Sequence, residues 1–89
     1  MVASMLEKRG DERIKECHVV RVDSREKEGR LGVTRDRSRR GLLFVTPSTF
    51  QVGDQLTLSR GVDSQMGRVV RIAHTGEAPM RFAVAVELS

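Results

Sequence analysis

Two arginine-bearing segments are the parts of this chain best suited to chemistry. The first is Glu7-Lys8-Arg9-Gly10-Asp11-Glu12-Arg13, and the second runs from Arg35 to Gly41. Arg9 and Arg13 stand four residues apart. On a helical turn that spacing stacks two guanidinium groups on one face. On an extended loop it lets two planar forks close on one ligand. A guanidinium fork matches phosphate oxygens, carboxylates and the O6/N7 edge of guanine. In the second segment, Asp36 and Ser38 share a face if the backbone is extended. Gly41 permits a close backbone approach or a positive φ. A plainer reading has Asp36 and Ser38 capping a turn through their own backbone, with the arginines as a solvated charged surface.

Other reactive side chains form no comparable group. His18 lies in a strand pattern and His74 in a turn, far apart in sequence, and no Ser-His-Asp or Cys-His-Asn spacing is present. The expectation is a protein that is not an enzyme, with His18 half-buried, His74 solvated and Cys17 a small apolar filler. Cys17 is the only cysteine, so neither an intrachain disulfide nor a cysteine zinc cluster is possible. No catalytic residue and no metal ligand is expected.

The composition is compatible with a binding module. The chain has 89 residues, 16 Lys and Arg against 12 Asp and Glu, and a formal net charge of +4. Thirteen of the 16 are arginine, which points to an anionic partner. Aromatics are limited to Phe44, Phe50 and Phe82, which argues against a base-stacking platform of the usual aromatic kind. No apolar run approaches the roughly 20 residues of a membrane span. Met1 to Arg9 has no apolar stretch suited to a secretory signal. The lone cysteine fits a reducing, cytoplasmic setting.

Strand patterns surround the two segments. Residues 1–13 read as an N-terminal arm with a flexible or briefly helical backbone, and residues 14–89 as one β domain. His18, Val20 and Val22 alternate with Cys17, Val19 and Arg21. Asp23 to Gly29 reads as a solvated connection, Leu31 to Thr34 as a weak strand, and Asp36 to Gly41 as a polar turn. Leu42 to Thr46 is apolar and β-prone, Gln55 to Leu58 alternates, and Gly61 to Ser64 is a turn. Gly67 to Ala73 follows with Arg68 and Arg71 outward. Phe82, Val84, Val86 and Leu88 face one way, opposite Arg81, Ala83, Ala85 and Glu87. Six short strands and no long helical period predict an all-β, six-stranded antiparallel barrel, whose closure removes open edges.

The two segments together resemble the PilZ domain, the bacterial receptor module for cyclic di-GMP. The family is marked by an Arg-x-x-x-Arg loop before the first strand and an Asp/Asn-x-Ser-x-x-Gly turn some 20–30 residues later. Here these are Arg9-Gly10-Asp11-Glu12-Arg13 and Asp36-Arg37-Ser38-Arg39-Arg40-Gly41, 23 residues apart (36 − 13). Gly41-Leu42-Leu43-Phe44-Val45, Pro47, Val52-Gly53-Asp54-Gln55-Leu56, Gly67 to Ile72 and Phe82 to Leu88 also resemble family strands, so the likeness spans residues 7–88. It implies a six-stranded barrel and a cyclic di-GMP ligand. Arg9 and Arg13 would clamp phosphate and guanine, Asp36 and Ser38 would hold a guanine edge, and Gly41 would shape the turn. Lys8, before the motif, would add charge, and so would Arg39 or Arg40, at positions the motif leaves free. The chain departs from the family in three places. Arg37 occupies a position often filled by an apolar residue and is expected to point outward through a local bulge. Asp11 and Glu12, between the arginines, are expected in solvent. The sequence stops at Ser89, which implies little or no C-terminal helix.

The resulting expectation is a cytoplasmic receptor that binds cyclic di-GMP, orders its N-terminal arm on the barrel and changes a surface read by a downstream protein. Two alternatives are a PilZ-like protein-interaction module without ligand binding, and a small nucleic-acid-binding barrel using Arg35, Arg37, Arg39, Arg40, Arg68 and Arg71. The 12 acidic residues and the scarcity of aromatics count against the second.

Overall fold

Four strands carry the alternation that builds the core, each pointing two apolar side chains the same way: Val20 and Val22, Leu42 and Phe44, Leu56 and Leu58, Val84 and Val86. Alternate residues of a strand face opposite sides, so each pair must be buried together. The computed structural model, which describes residues 13–89, does this with seven strands. They are β1 (Ile14–Lys15), β2 (Val19–Ser24), β3 (Arg30–Arg37), β4 (Gly41–Thr46), β5 (Gln55–Arg60), β6 (Asp63–His74) and β7 (Phe82–Leu88). All pairings are antiparallel. No helix occurs among the described residues, so none there is long and apolar enough to cross a membrane.

The sheet closes on itself. Strand β2 pairs with β3 and β5, β6 with β5 and β7, and β4 with β7 and β3, which completes a ring of six strands. The two-residue β1 is the first half of an interrupted strand. It pairs with Asp36 and Arg37 on the edge of β3 that β2 occupies farther along, at Arg30 to Val33. The interruption at Glu16–His18 is still bonded to β3. Glu16 N–H donates to the Arg35 carbonyl at 3.0 Å, and Thr34 N–H donates to the His18 carbonyl at 2.8 Å. The barrel is therefore six-stranded and all-β, as the strand pattern predicts.

Strand β3 contributes Gly32 and Thr34 where its neighbours contribute large apolar groups, because Phe44 already fills the space. A Cβ on Gly32 would lie 2.9 Å from Phe44 Cδ2 and 3.1 Å from Val22 Cγ2. Thr34 is fully buried, and its hydroxyl oxygen accepts the His18 N–H at 2.9 Å. Thr46, also buried, donates its hydroxyl to the Leu31 carbonyl at 2.6 Å. Both polar side chains are thus satisfied inside the barrel, which removes the desolvation cost of burying them. Phe50, from the connection after β4, packs edge-on against Phe44 with ring centroids 6.4 Å apart.

Several local expectations change. Asp36 and Arg37 lie in strand β3, and the turn is confined to Ser38–Arg40. Asp23 and Ser24 continue β2, and Asp63 and Ser64 belong to the 12-residue β6 rather than to a turn. In each case cross-strand pairing, with β4 for Asp36 and Arg37 and with β5 for the other two pairs, overrides a polar, turn-prone local sequence. Cys17 is exposed rather than a core filler, because it sits in the interruption between β1 and β2.

Candidate functional site

Two β-bulges set the geometry of the outer face. Strand β3 pairs Thr34 with Phe44, then Asp36 with Leu43, so Arg35 is an extra residue. Strand β6 pairs Val69 with Val86, then Arg71 with Ala85, so Val70 is extra. An inserted residue inverts the facing of everything beyond it. Thr34 faces the core. Without the bulge Asp36 would also face inward and Arg37 outward. With it, Asp36 shares the outer face with Leu43, and Arg37 shares the inner face with Leu42. The same register links Leu43 to Ala85 and Ala85 to Arg71. One outward row therefore crosses four strands as Asp36, Leu43, Ala85 and Arg71.

A cleft of about 420 Å³ opens on this row. Arg13, Asp36, Ser38, Arg40 and Gly41 line it, with Leu43 and Ala85 along the row and Val70, Arg71 and Glu87 beyond. Five sequence-predicted residues are thus brought together. Lys8 and Arg9, together with Asp11 and Glu12, lie outside the described residues.

Arg13 and Asp36 meet directly. Arg13 Nη1 donates to Asp36 Oδ1 at 2.6 Å, with the arginine side chain 58% and the aspartate 19% exposed. The bond engages one carboxylate oxygen. Oδ2 retains its lone pairs, and the guanidinium has further N–H donors. The pair can therefore present an acceptor and several donors to one ligand.

Ser38 and Gly41 close the β3–β4 turn on each other. Ser38 N–H donates to the Gly41 carbonyl at 2.9 Å, and Gly41 N–H donates to Ser38 Oγ at 3.1 Å. Ser38 is thus the turn cap of the plainer reading, while Asp36 is bonded across to Arg13. The Ser38 hydroxyl accepts one bond and keeps its proton to donate. Gly41 uses no positive φ, and a Cβ there would lie at ordinary contact distances, 3.4 Å from the Val86 carbonyl oxygen and 3.6 Å from Ser38 Oγ, so the fold itself does not demand glycine.

The electrostatics favour an anion. Arg13, Arg40 and Arg71 face the cleft against Asp36 and Glu87. Glu87 is offset by Arg68, whose Nη2 donates to it at 3.2 Å. Arg71 belongs to neither motif. The signal in the sequence was its outward place in the Gly67–Ala73 run; its alignment with Asp36 needs both bulges.

Arg37 does not point outward. It is half-buried at one mouth of the barrel, where Nη1 donates to Gln65 Oε1 at 2.7 Å and Nε to Glu16 Oε1 at 3.3 Å. The bulge at Arg35 moves it inward rather than out. It lines a cavity of about 370 Å³ with Glu16, His18, Val20, Leu42 and Leu58. His18 is half-buried there, and His74 is exposed, its ring 5.0 Å from that of Phe82. Among the described residues no three His, Cys, Asp or Glu side chains are grouped to hold a metal.

Comparison with models of known protein families finds none that matches this chain, and comparison with curated proteins also finds no match.

Proposed function

We propose that this barrel is a PilZ-like receptor for cyclic di-GMP. The observation that carries the reading is that Arg13, from the first motif, and Asp36, Ser38, Arg40 and Gly41, from the second, line a single cleft. Cyclic di-GMP has two phosphates and two guanines. In this reading Asp36 Oδ2 accepts from the N–H groups on the Watson–Crick edge of a guanine. The Ser38 hydroxyl donates beside it. Arg13 stays against Asp36 while its remaining N–H groups reach phosphate or guanine O6 and N7. Leu43 and Ala85 offer an apolar floor to a base face. The protein is then a cytoplasmic receptor rather than an enzyme, and a downstream protein reads the liganded face. Lys8 and Arg9, outside the described residues, enter the reading through the resemblance alone.

A micromolar site corresponds to about 8 kcal/mol, and one bidentate arginine contact to about 1–3 kcal/mol. No single side chain carries the site. Titration calorimetry of the full chain with cyclic di-GMP is the test. Binding in the micromolar range is expected, and Arg13→Ala and Asp36→Ala should each weaken it by about fivefold to a hundredfold. No heat and no amide chemical-shift change at high micromolar ligand would end the reading.

A further inference from the structure

We propose that Arg71 is a direct ligand contact at the far wall of the cleft, so that the site grips its ligand from both ends of one cross-strand row. The inference rests on the cyclic di-GMP reading and adds a residue that neither motif contains.

Asp36 and Arg71 terminate the row that runs through Leu43 and Ala85. Neighbouring strands lie about 4.8 Å apart, so the three intervals separate the ends by about 14 Å along the sheet. That span suits a ligand with two recognition elements better than one with a single base. The two ends are chemically complementary to opposite features of such a ligand. Asp36 is an acceptor for the N–H groups of a guanine. Arg71 is a fork of donors for a phosphate or for guanine O6 and N7.

Arg71, like Arg40 in the same cleft, is not tied up in an ion pair with a described residue. Arg68 is paired with Glu87, Arg37 with Glu16, Arg21 with Asp23 and Arg13 with Asp36. Among the described residues no carboxylate lies within ion-pairing distance of Arg71. Its cross-strand partner is Ala85, too short to cover it. Arg71 projects from a strand rather than a turn, so its backbone is fixed relative to the floor. The extra residue at Val70 lets Arg71 face outward while Val69 and Ile72 both pack on the core.

The experiment compares cyclic di-GMP affinity by calorimetry for the wild-type chain, Arg71→Ala and Arg60→Ala. Arg60 lines the barrel mouth and is not among the residues of the cleft, so its loss removes the same charge without the contact. Arg71→Ala should weaken binding by about fivefold to a hundredfold, with Arg60→Ala within twofold of wild type. Both positions are exposed, and thermal melts verify that both variants fold. A wild type that binds beside an Arg71→Ala that binds equally overturns the Arg71 assignment alone. Equal weakening in both variants also overturns it, because a general field effect would then account for the loss. A wild type that does not bind overturns the receptor reading and the Arg71 contact with it.

Discussion

Gly41→Ala should move stability and ligand binding in opposite directions. The Gly41 backbone has no positive φ, and it opens strand β4, where alanine is allowed. The added methyl would meet the Val86 carbonyl oxygen at 3.4 Å and Ser38 Oγ at 3.6 Å, both within ordinary contact. Replacing glycine at a compatible position stabilises by about 0.4–1 kcal/mol through the unfolded chain. For a domain of this size that raises Tm by about 2–8 °C. The same methyl faces outward, because Gly41 pairs with exposed Glu87, and it sits beside Ser38 at the cleft. In the proposed receptor reading it therefore occupies space that a guanine edge would need. Two other glycines calibrate the argument. A Cβ on Gly32 would lie 2.9 Å from Phe44 Cδ2 inside the core, and Gly32→Ala should cost about 1–3 kcal/mol by overpacking. A Cβ on Gly67 would press on Val86 and lie 2.8 Å from the Glu87 carbonyl oxygen, which is backbone and cannot rotate away. Gly67→Ala should therefore cost at least as much as Gly32→Ala. Thermal melts and calorimetric titration of the three variants give both readouts. A Gly41→Ala melt several degrees below wild type would refute the backbone argument. A Gly41→Ala that binds cyclic di-GMP as tightly as wild type would remove Gly41 from the ligand surface.

Three further outcomes follow from the same geometry. Arg13→Ala should lower stability by no more than about 1 kcal/mol, because the Arg13 end of its pair with Asp36 is exposed and screened by water; urea unfolding would detect a larger loss, which would make Arg13 structural. Arg37→Ala should destabilise by about 1–3 kcal/mol, since it removes bonds to Glu16 and Gln65 across the barrel mouth; an unchanged urea midpoint would refute that. The Gly29 N–H donating to Asp23 at 2.7 Å, aided by Arg21, holds the Asp23 carboxyl below its ordinary value despite an opposing desolvation effect. A depressed folded pKa stabilises above the unfolded value, about 3.9, and that contribution is lost as pH falls through the folded pKa. Asp23→Asn should therefore be less stable than wild type at neutral pH and show a shallower loss on acidification; parallel acid-melt curves would contradict this.

Much of the barrel was legible along the chain. The pairs Val20/Val22, Leu42/Phe44, Leu56/Leu58 and Val84/Val86 announce inner faces through period-2 alternation, a local property of strand backbone. The two arginine-bearing segments, with Asp36, Ser38 and Gly41, were visible as types at a spacing. What alternation cannot show is where one extra residue breaks it. Arg35 and Val70 look like ordinary strand residues, yet as bulges they send Asp36 outward, turn Arg37 into the barrel mouth and align Arg71 with Asp36.

The amino-acid sequence by itself determined the strand-forming alternation, the arginine excess and the residue types of both motifs, because these depend on neighbours within a few positions. Only the tertiary structure decided the pairing of β2 with β5 and of β4 with β7, which closes the ring, and the meeting of Arg13 with Asp36. Those features depend on register between strands distant in sequence. In a closed sheet, register is chosen by the packing of the whole core rather than by any one segment.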